Sequence, residues 1–360
     1  MSLSLGEKGA FIATGVFVLP YILFSPFAGE LGDRFVKSRL LFAFKTFEIF
    51  MVILLILGIA MKSFPIILIV TFISGIQSSF ISPVRLGMIP EMANNNILRL
   101  SSIMDGTMFF SVLAGTAIGL ILPIANISGV PHSLTILSVI LILSYLIGMF
   151  FTINIMKHDD TKIINPEPLT FSCWKTVIRM CDHVTTCKRW KYIWAISAFW
   201  GIASILISES EPLSLSLGLS PASIRIFIPL MSIGIGVGSI LVAIINKRSV
   251  LMTSLIMVFI SMLMCIPFTH HILLIFSILL FSVCVFGGIL SSALYSDLLK
   301  NTHNYTSALI ATNNICNSVV MELVSIAMIF INHSHPQIII FMSLLICLPI
   351  FLLAKDTVKE

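Results

Sequence analysis

The sequence predicts an all-α protein, a polytopic bundle of about eleven membrane-crossing helices, and three observations carry that reading. Of the 360 residues, 58% are apolar and only 10% are charged, and the mean hydropathy is +1.07, whereas a soluble domain carries about 25% charged residues. So few charges cannot solvate the surface of a water-soluble globule, which excludes a soluble enzyme, a secreted disulfide scaffold and a nucleic-acid-binding domain. Continuous apolar runs of the ~20 residues needed to cross a hydrocarbon core recur from end to end, without the alternation of barrel strands. Lysine and arginine, finally, are segregated into alternate loops.

The runs fall near residues 10–28, 40–61, 64–82, 103–127, 133–155, 191–208, 222–246, 249–268, 271–295, 307–331 and 337–354. The opening residues 1–11 hold one lysine, no basic n-region and no small-residue cleavage site, so the first run reads as a retained span rather than a signal peptide. Loops 29–39, 83–101, 156–190 with Lys191, 247–248, 296–306 and the C-terminal tail hold seventeen basic residues, against only Lys8 and Lys62 in the opposite set. That bias predicts a cytoplasmic C-terminus and, with eleven spans, an outside N-terminus.

The longest loop, 156–190, divides the chain into an N-terminal bundle of five spans (1–155) and a C-terminal bundle of six (191–360). Its last part, 171–190, has the pattern of an amphipathic helix lying on a surface. Gly75-Ile76-Gln77-Ser78-Ser79 and Gly288-Ile289-Leu290-Ser291-Ser292 form a weak internal repeat. Two parallel repeats are the mark of one large transporter class. The seven cysteines are scattered at spacings that match no zinc pattern, so neither a metal nor another cofactor is expected.

The segment Gly29-Glu30-Leu31-Gly32-Asp33-Arg34-Phe35-Val36-Lys37-Ser38-Arg39 resembles the signature loop between the second and third helices of major facilitator transporters, with Val36 where the pattern has Gly. The wider stretch LPYILFSPFAGELGDRFVKSRLL, with Gln77-Ser78 and Ser82-Pro83-Val84-Arg85-Leu86-Gly87-Met88-Ile89-Pro90-Glu91, is similar to the lysophospholipid transporter branch, from which Arg85 (for Lys) and Leu86 (for Tyr) depart. Phe199-Trp200-Gly201, Gly234–Ser239 and Asn313-Asn314-Ile315-Cys316-Asn317 fit the branch in the second half. The resemblance implies a carrier in the bacterial inner membrane, surrounded by membrane lipids and moving lysophospholipid or another amphipathic small molecule. It also implies a possible cytoplasmic acyltransferase partner, because the branch occurs fused to one. It implies twelve helices, with the signature loop after the second. Here the loop follows the first span, so helix one, with its Phe-Gly-Asp-Asn-like stretch, has no counterpart. A late start codon, gene decay and a shortened working carrier are the readings left open.

Candidate working residues follow from the cost of ionisable groups in apolar spans, about 2.5–3.5 kcal/mol or more at mid-helix. Lys45 and Glu48, three residues apart on one helical face, either neutralise each other or contact a zwitterionic head group. Asp105 opens the fourth span and either favours its helix N-terminus or, by resemblance, closes the cytoplasmic gate. Arg225 snorkels to bilayer phosphates or draws in an anionic head group, while Glu322 is protonated or paired across the bundle and is a proton-coupling candidate. Asn313, Asn314 and Asn317 are amides in an apolar helix, with inter-helix hydrogen bonding or substrate contact as alternatives, and Gln77 and Arg85, in the stretch similar to the lysophospholipid branch, are substrate or gate candidates by that resemblance.

Within the signature, Gly29, Asp33, Arg34, Lys37 and Arg39 make the conformational switch loop by resemblance. Lys37 and Arg39 read as positive-inside anchors. Asp33, in a glycine-flanked turn, can accept bonds from a neighbouring helix N-terminus and latch one state. Gly115 with Gly119, and the run Gly234–Gly238, read as close packing between helices. Enzymatic chemistry finds no support: no histidine has an aspartate five residues on, and no nucleophile elbow or zinc motif is present.

Overall fold

A computed structural model describes residues 7–61, 63–93, 96–121, 131–157, 173–209, 224–245, 250–265, 272–300, 302, 305–330 and 335–354. Every one of the eleven predicted spans falls on a helix: α1 (Glu7–Arg34), α2 (Lys37–Ala60), α3 (Phe64–Gly87), α4 (Ile97–Ile121), α5 (Pro131–Lys157), α7 (Trp190–Ser208), α8 (Ile224–Ile245), α9 (Val250–Leu263), α10 (Ile272–Leu299), α11 (Thr306–Ile329) and α12 (Pro336–Leu353). The amphipathic segment is α6 (Cys173–Thr186). Among the described residues, seven helical stretches (in α2, α3, α4, α5, α7, α10 and α11) are long and apolar enough to cross a membrane, and shorter apolar stretches lie in α8, α9 and α12.

The helices persist through residues that would break them in water. Pro20 and Pro26 lie inside α1, Pro83 inside α3, Pro229 inside α8 and Pro349 inside α12. Such prolines are tolerated in membrane helices because neighbouring groups satisfy the freed carbonyls. Leu143, Leu146, Ile147, Phe150 and Phe151 of α5 are all exposed, an outer face that only lipid can solvate without cost.

The chain forms two compact units, each drawing on both sides of the 156–190 loop. Unit 1 comprises Met1–Glu91, Ile121–Cys187 and Thr302–Ser318. In it α1 packs along α3, and α2 packs against both α3 and α5. Unit 2 comprises Met92–Leu120, Lys188–Asn301 and Val319–Glu360. There α8 packs along α10, α9 lies against α10 and α12, and α7 touches α10 and α12. The start of α11 therefore belongs with unit 1, and most of α4 with unit 2.

The weak internal repeat has a structural counterpart in each unit. A methyl group at Gly75 would run into the Phe17 carbonyl of α1, and one at Gly288 would run into the Ile235 carbonyl of α8. Glycine at these positions lets a partner backbone come within van der Waals contact, the small-residue packing of membrane helices. Gly234 does the same, its missing Cβ lying 2.7 Å from the Cys284 Cβ. Gly115 does not: nothing lies within 4 Å of where its Cβ would be. Among the described residues, the packing expected at Gly115 is therefore not made, and Gly119 lies outside the described side chains. The boundary expected at residue 29 is also corrected. Helix α1 continues through Gly29–Arg34, and only Phe35 and Val36 separate it from α2.

These contacts set an expected order of stabilities. Gly75→Ala and Gly288→Ala overpack a backbone contact and should each destabilise by roughly 1–3 kcal/mol. Gly115→Ala meets open space and should be neutral or raise stability by up to about 1 kcal/mol through helix propensity. Thermal melting of the detergent-solubilised protein checks the order.

Candidate functional site

The end of α1 meets the start of α11 in unit 1, 274 residues away in sequence, through one carboxylate. Asp33 accepts the Ser307 N–H on Oδ1 at 2.8 Å and the Ala308 N–H on Oδ2 at 2.9 Å. The first N–H groups of a helix have no intrahelical acceptor and carry the positive end of its dipole, so both carboxylate oxygens are bound where a charge is most favourable. The approach depends on two glycines. A Cβ at Gly29 would stand 2.8 Å from the Ala311 Cβ, and one at Gly32 would stand 2.7 Å from Ser307 Cβ and Oγ. Asp33 lies past the end of the predicted span, and burial pushes its carboxyl up to about 6, against the opposing pull of the two backbone N–H groups and Lys37.

One turn earlier on α1, Glu30 is buried and gathers three partners. Arg34 Nη2 lies 2.5 Å from Oε1, Thr176 Oγ1 of α6 donates to Oε2 at 3.2 Å, and Arg179 Nη1 of α6 stands 3.9 Å from Oε1. Helix α6 also holds the start of α11. Met180 packs with Ala308, Ala311 and Ile315, and the His183 ring stacks on Tyr305 with centroids 3.8 Å apart. Thr176, Met180 and Val184, at helical spacing, form the buried stripe of α6. That apolar stripe is covered by protein. Together α1, α6 and the α11 start line an open pocket of about 310 Å³, with Glu30, Asp33, Arg34, Thr176 and Arg179 among its walls. Lys37 is more than a solvated anchor: it is buried, and its Nζ meets Glu91 Oε1 at 2.6 Å. Arg39 is exposed.

A polar face runs along α3. Ser78, Ser82 and Arg85 recur at i, i+4 and i+7, one helix face. Tyr21 of α1 lies beside Ser78 and near the Arg85 charge, and Asn314 Nδ2 donates to Ser82 Oγ at 3.0 Å. Gln77 points elsewhere, its Nε2 donating to the Phe44 carbonyl of α2 at 2.9 Å. Lys45 and Glu48 form an ion pair at 2.6 Å on α2, with the ammonium 5.5 Å from the Tyr145 ring centre on α5.

In unit 2, Asp105 is buried and accepts from Ser292 Oγ of α10 at 3.4 Å. Because α4 begins at Ile97, Asp105 stands two turns inside the helix. The dipole effect fades within the first turn, so the helix-start reading of this residue is corrected. Beside it Phe109 stacks on Trp200, whose Nε1 donates to the Tyr295 hydroxyl at 3.3 Å. Glu322 is half-buried on α11. Arg225 falls in the first turn of α8, its side chain outside the described part, and Gly119 is likewise outside it. Asn313 and Asn317 are buried on the unit 1 part of α11.

Sequence reasoning passed over Glu30, Tyr21, Thr176, Met180 and His183. Glu30 lay inside the signature segment, and its i, i+4 spacing to Arg34 was the available sign. The α6 contacts had none, because they join residues about 120 to 150 apart in the chain.

Long apolar helices packed through glycine notches, with a carboxylate seated on a distant helix start, are the architecture of a multi-pass membrane transporter. The chain belongs to the Major Facilitator Superfamily, whose family model matches residues 2–325. Over 106 residues it is 26% identical to the lysophospholipid transporter LplT of Photorhabdus laumondii subsp. laumondii. That match covers 29% of this chain and spans only 25% of the length of that relative. The fucose:proton symporter FucP of E. coli has the same fold, with a TM-score of 0.71 at 13% identity over 98% of this chain and 92% of that one. A bacterial homologue of the iron transporter ferroportin, in an outward-facing state, gives a TM-score of 0.70 at 12% identity over 97% and 91%. Those two likenesses are of fold alone.

Two outcomes are expected from this geometry. Asp33→Ala strands two N–H groups and should lower stability by about 0.5–2 kcal/mol, the worth of a helix cap, while Asp33→Asn keeps one acceptor and should lose less. Removing one member of the Lys45–Glu48 pair leaves a lone charge in an apolar helix, so Lys45→Met should destabilise more than the double change Lys45→Met/Glu48→Met. Melting temperatures of the purified variants test both.

Proposed function

We propose that the protein moves lysophospholipid across the bacterial inner membrane by alternating access, with its C-terminus cytoplasmic. In this reading two bundles, 1–155 and 191–360, rock while the acyl chain stays in the apolar phase. The observation that carries the transport cycle is the Asp33 carboxylate seated on the Ser307 and Ala308 N–H groups. It joins the signature segment to a helix of the other half by bonds that form or break as a unit, so Gly29, Asp33, Arg34, Lys37 and Arg39 act as the switch. The cargo rests on the resemblance of residues 18–120 to the lysophospholipid branch and on the partial similarity to LplT.

The polar face of α3 suits a phospholipid head group. Arg85 supplies the phosphate partner, and Tyr21, Ser78, Ser82 and Asn314 supply exchangeable hydrogen bonds. Asn313 and Asn317, on the part of α11 that also carries Asn314, border this route, with Lys45 and Glu48 at its edge, while Gln77, bonded to the Phe44 carbonyl, faces α2 instead. A cytoplasmic acyltransferase would consume the delivered lipid. The buried Asp105 favours a second reading, a proton-coupled exporter of another amphipathic solute in which Asp105 and Glu322 carry protons and Arg225 attracts anions.

Proteoliposomes test the cargo. Lysophosphatidylethanolamine movement should be accelerated by the 360-residue chain, and Arg85→Gln and Asp33→Asn should each slow it about tenfold, a loss of ~1.4 kcal/mol in the barrier difference. Folded protein that moves no more lysolipid than empty vesicles would sink the lipid reading.

A further inference from the structure

The second half of α11 carries a carboxylate deep in an apolar helix. Glu322 lies sixteen residues past Thr306 and seven before Ile329, so at 1.5 Å per residue it stands at least about 10 Å from either end. Its side chain is too short to reach the interface as a lysine would. Among the described residues, none bonds to it or pairs with it. Lys45 and Asp105, the other ionisable groups deep in described helices, each have a partner. A charge in a membrane helix without a protein partner marks a place where a ligand supplies one.

The packing of α11 in unit 2 fixes where that carboxylate faces. Gly201 of α7 leaves room for Val320 and Val324, and Ser325 Oγ lies 3.2 Å from Ser204 Oγ, also of α7. That side of α11 is closed by protein. Val319, Leu323 and Ile326 are exposed, and Phe330 continues their stripe just past the helix end. Glu322 is half-buried at the border between the two sides, three residues after Val319 and four before Ile326, and so on the same helical face as both.

We infer that Glu322 is a head-group specificity residue, which receives the ammonium of a single-chain amphiphile whose acyl chain lies along Val319, Leu323, Ile326 and Phe330. The charge and the apolar stripe together fit that chemistry. A carboxylate is an acceptor only, whereas an alkylammonium offers three donors and the opposite charge, and their attraction is strong where the dielectric is low. An apolar chain lies against the exposed stripe without desolvation cost. Lysophosphatidylethanolamine has both parts, whereas lysophosphatidylglycerol has the chain but no ammonium. A proton carrier at this position would serve every cargo alike, while an ammonium partner serves only amine-bearing head groups.

This inference rests on the lysolipid reading and deepens it by naming the head group. Two readouts on the full chain test it. The first is movement of lysophosphatidylethanolamine and of lysophosphatidylglycerol with the same acyl chain in proteoliposomes. The second is the rise in melting temperature of the detergent-solubilised protein on adding each lipid, which reports binding without transport. Glu322→Gln should slow the ethanolamine lipid at least fivefold and the glycerol lipid less than twofold, and should remove the larger melting shift that the ethanolamine lipid gives the wild type. Glu322→Asp, which keeps the carboxylate, should retain more of the preference than Glu322→Gln. Ile326→Ser, on the acyl stripe, should weaken both lipids alike. Equal slowing of the two lipids by Glu322→Gln, or no effect on either, would overturn the ammonium site. Wild-type protein that moves neither lipid, yet shows a melting preference for the ethanolamine lipid that Glu322→Gln removes, would leave the site standing and sink the carrier reading. Absence of both movement and preference would overturn both.

Discussion

A carboxylate placed against the first free N–H groups of a helix organises unit 1. The bonds from Ser307 and Ala308 to Asp33 satisfy donors that have no acceptor within α11 and set a negative charge at the positive end of a helix dipole. Both effects strengthen where water is scarce, because competing hydration is weak and the local dielectric is low. The rest of the neighbourhood serves that approach. Gly29 and Gly32 remove the side chains that would hold α1 and α11 apart, and Lys37 bonds to Glu91 beside Gly87. Glu30 and Arg34 neutralise each other on the flank.

Such a seat suits a moving part better than a hydrophobic contact would. Two hydrogen bonds to one group form or break together, whereas buried apolar area changes gradually with distance. Where a contact must persist, the protein uses backbone-to-backbone approach instead. Gly75 against Phe17 and Gly288 against Ile235 lock α1 to α3 and α8 to α10 with no side chain that could adopt another rotamer. The two devices divide the work, with glycine notches making each helix pair rigid and polar seats joining parts of the chain far apart in sequence.

Charges inside the apolar helices follow the same economy. Lys45 has Glu48 within 2.6 Å, and Asp105 has the Ser292 hydroxyl. An unpaired charge there would cost several kcal/mol, so these groups sit where a partner can be supplied. On α3, Ser82 is likewise bonded, to the Asn314 amide.

The membrane class, the helical spans and the pairing of Lys45 with Glu48 were legible in the chain alone, because they follow from composition, run length and spacing along one helix, whereas Asp33 stood out only through the resemblance of its segment to a family signature. An apolar run of twenty residues has few alternatives in lipid, and an i, i+3 pair is fixed by helix geometry. The family, too, was legible from residues 29–39, because a short signature needs no tertiary information. The structure decided everything that depends on pairing across the chain: that α1 runs on through Gly29 and Gly32, that Asp33 finds α11, that α6 buries its stripe on protein, and that no described residue packs against Gly115. Local propensity reads two glycines near a helix end as a break. They remain helical here because the close approach they permit, and the bonds made through it, outweigh the propensity cost of about 1 kcal/mol per glycine.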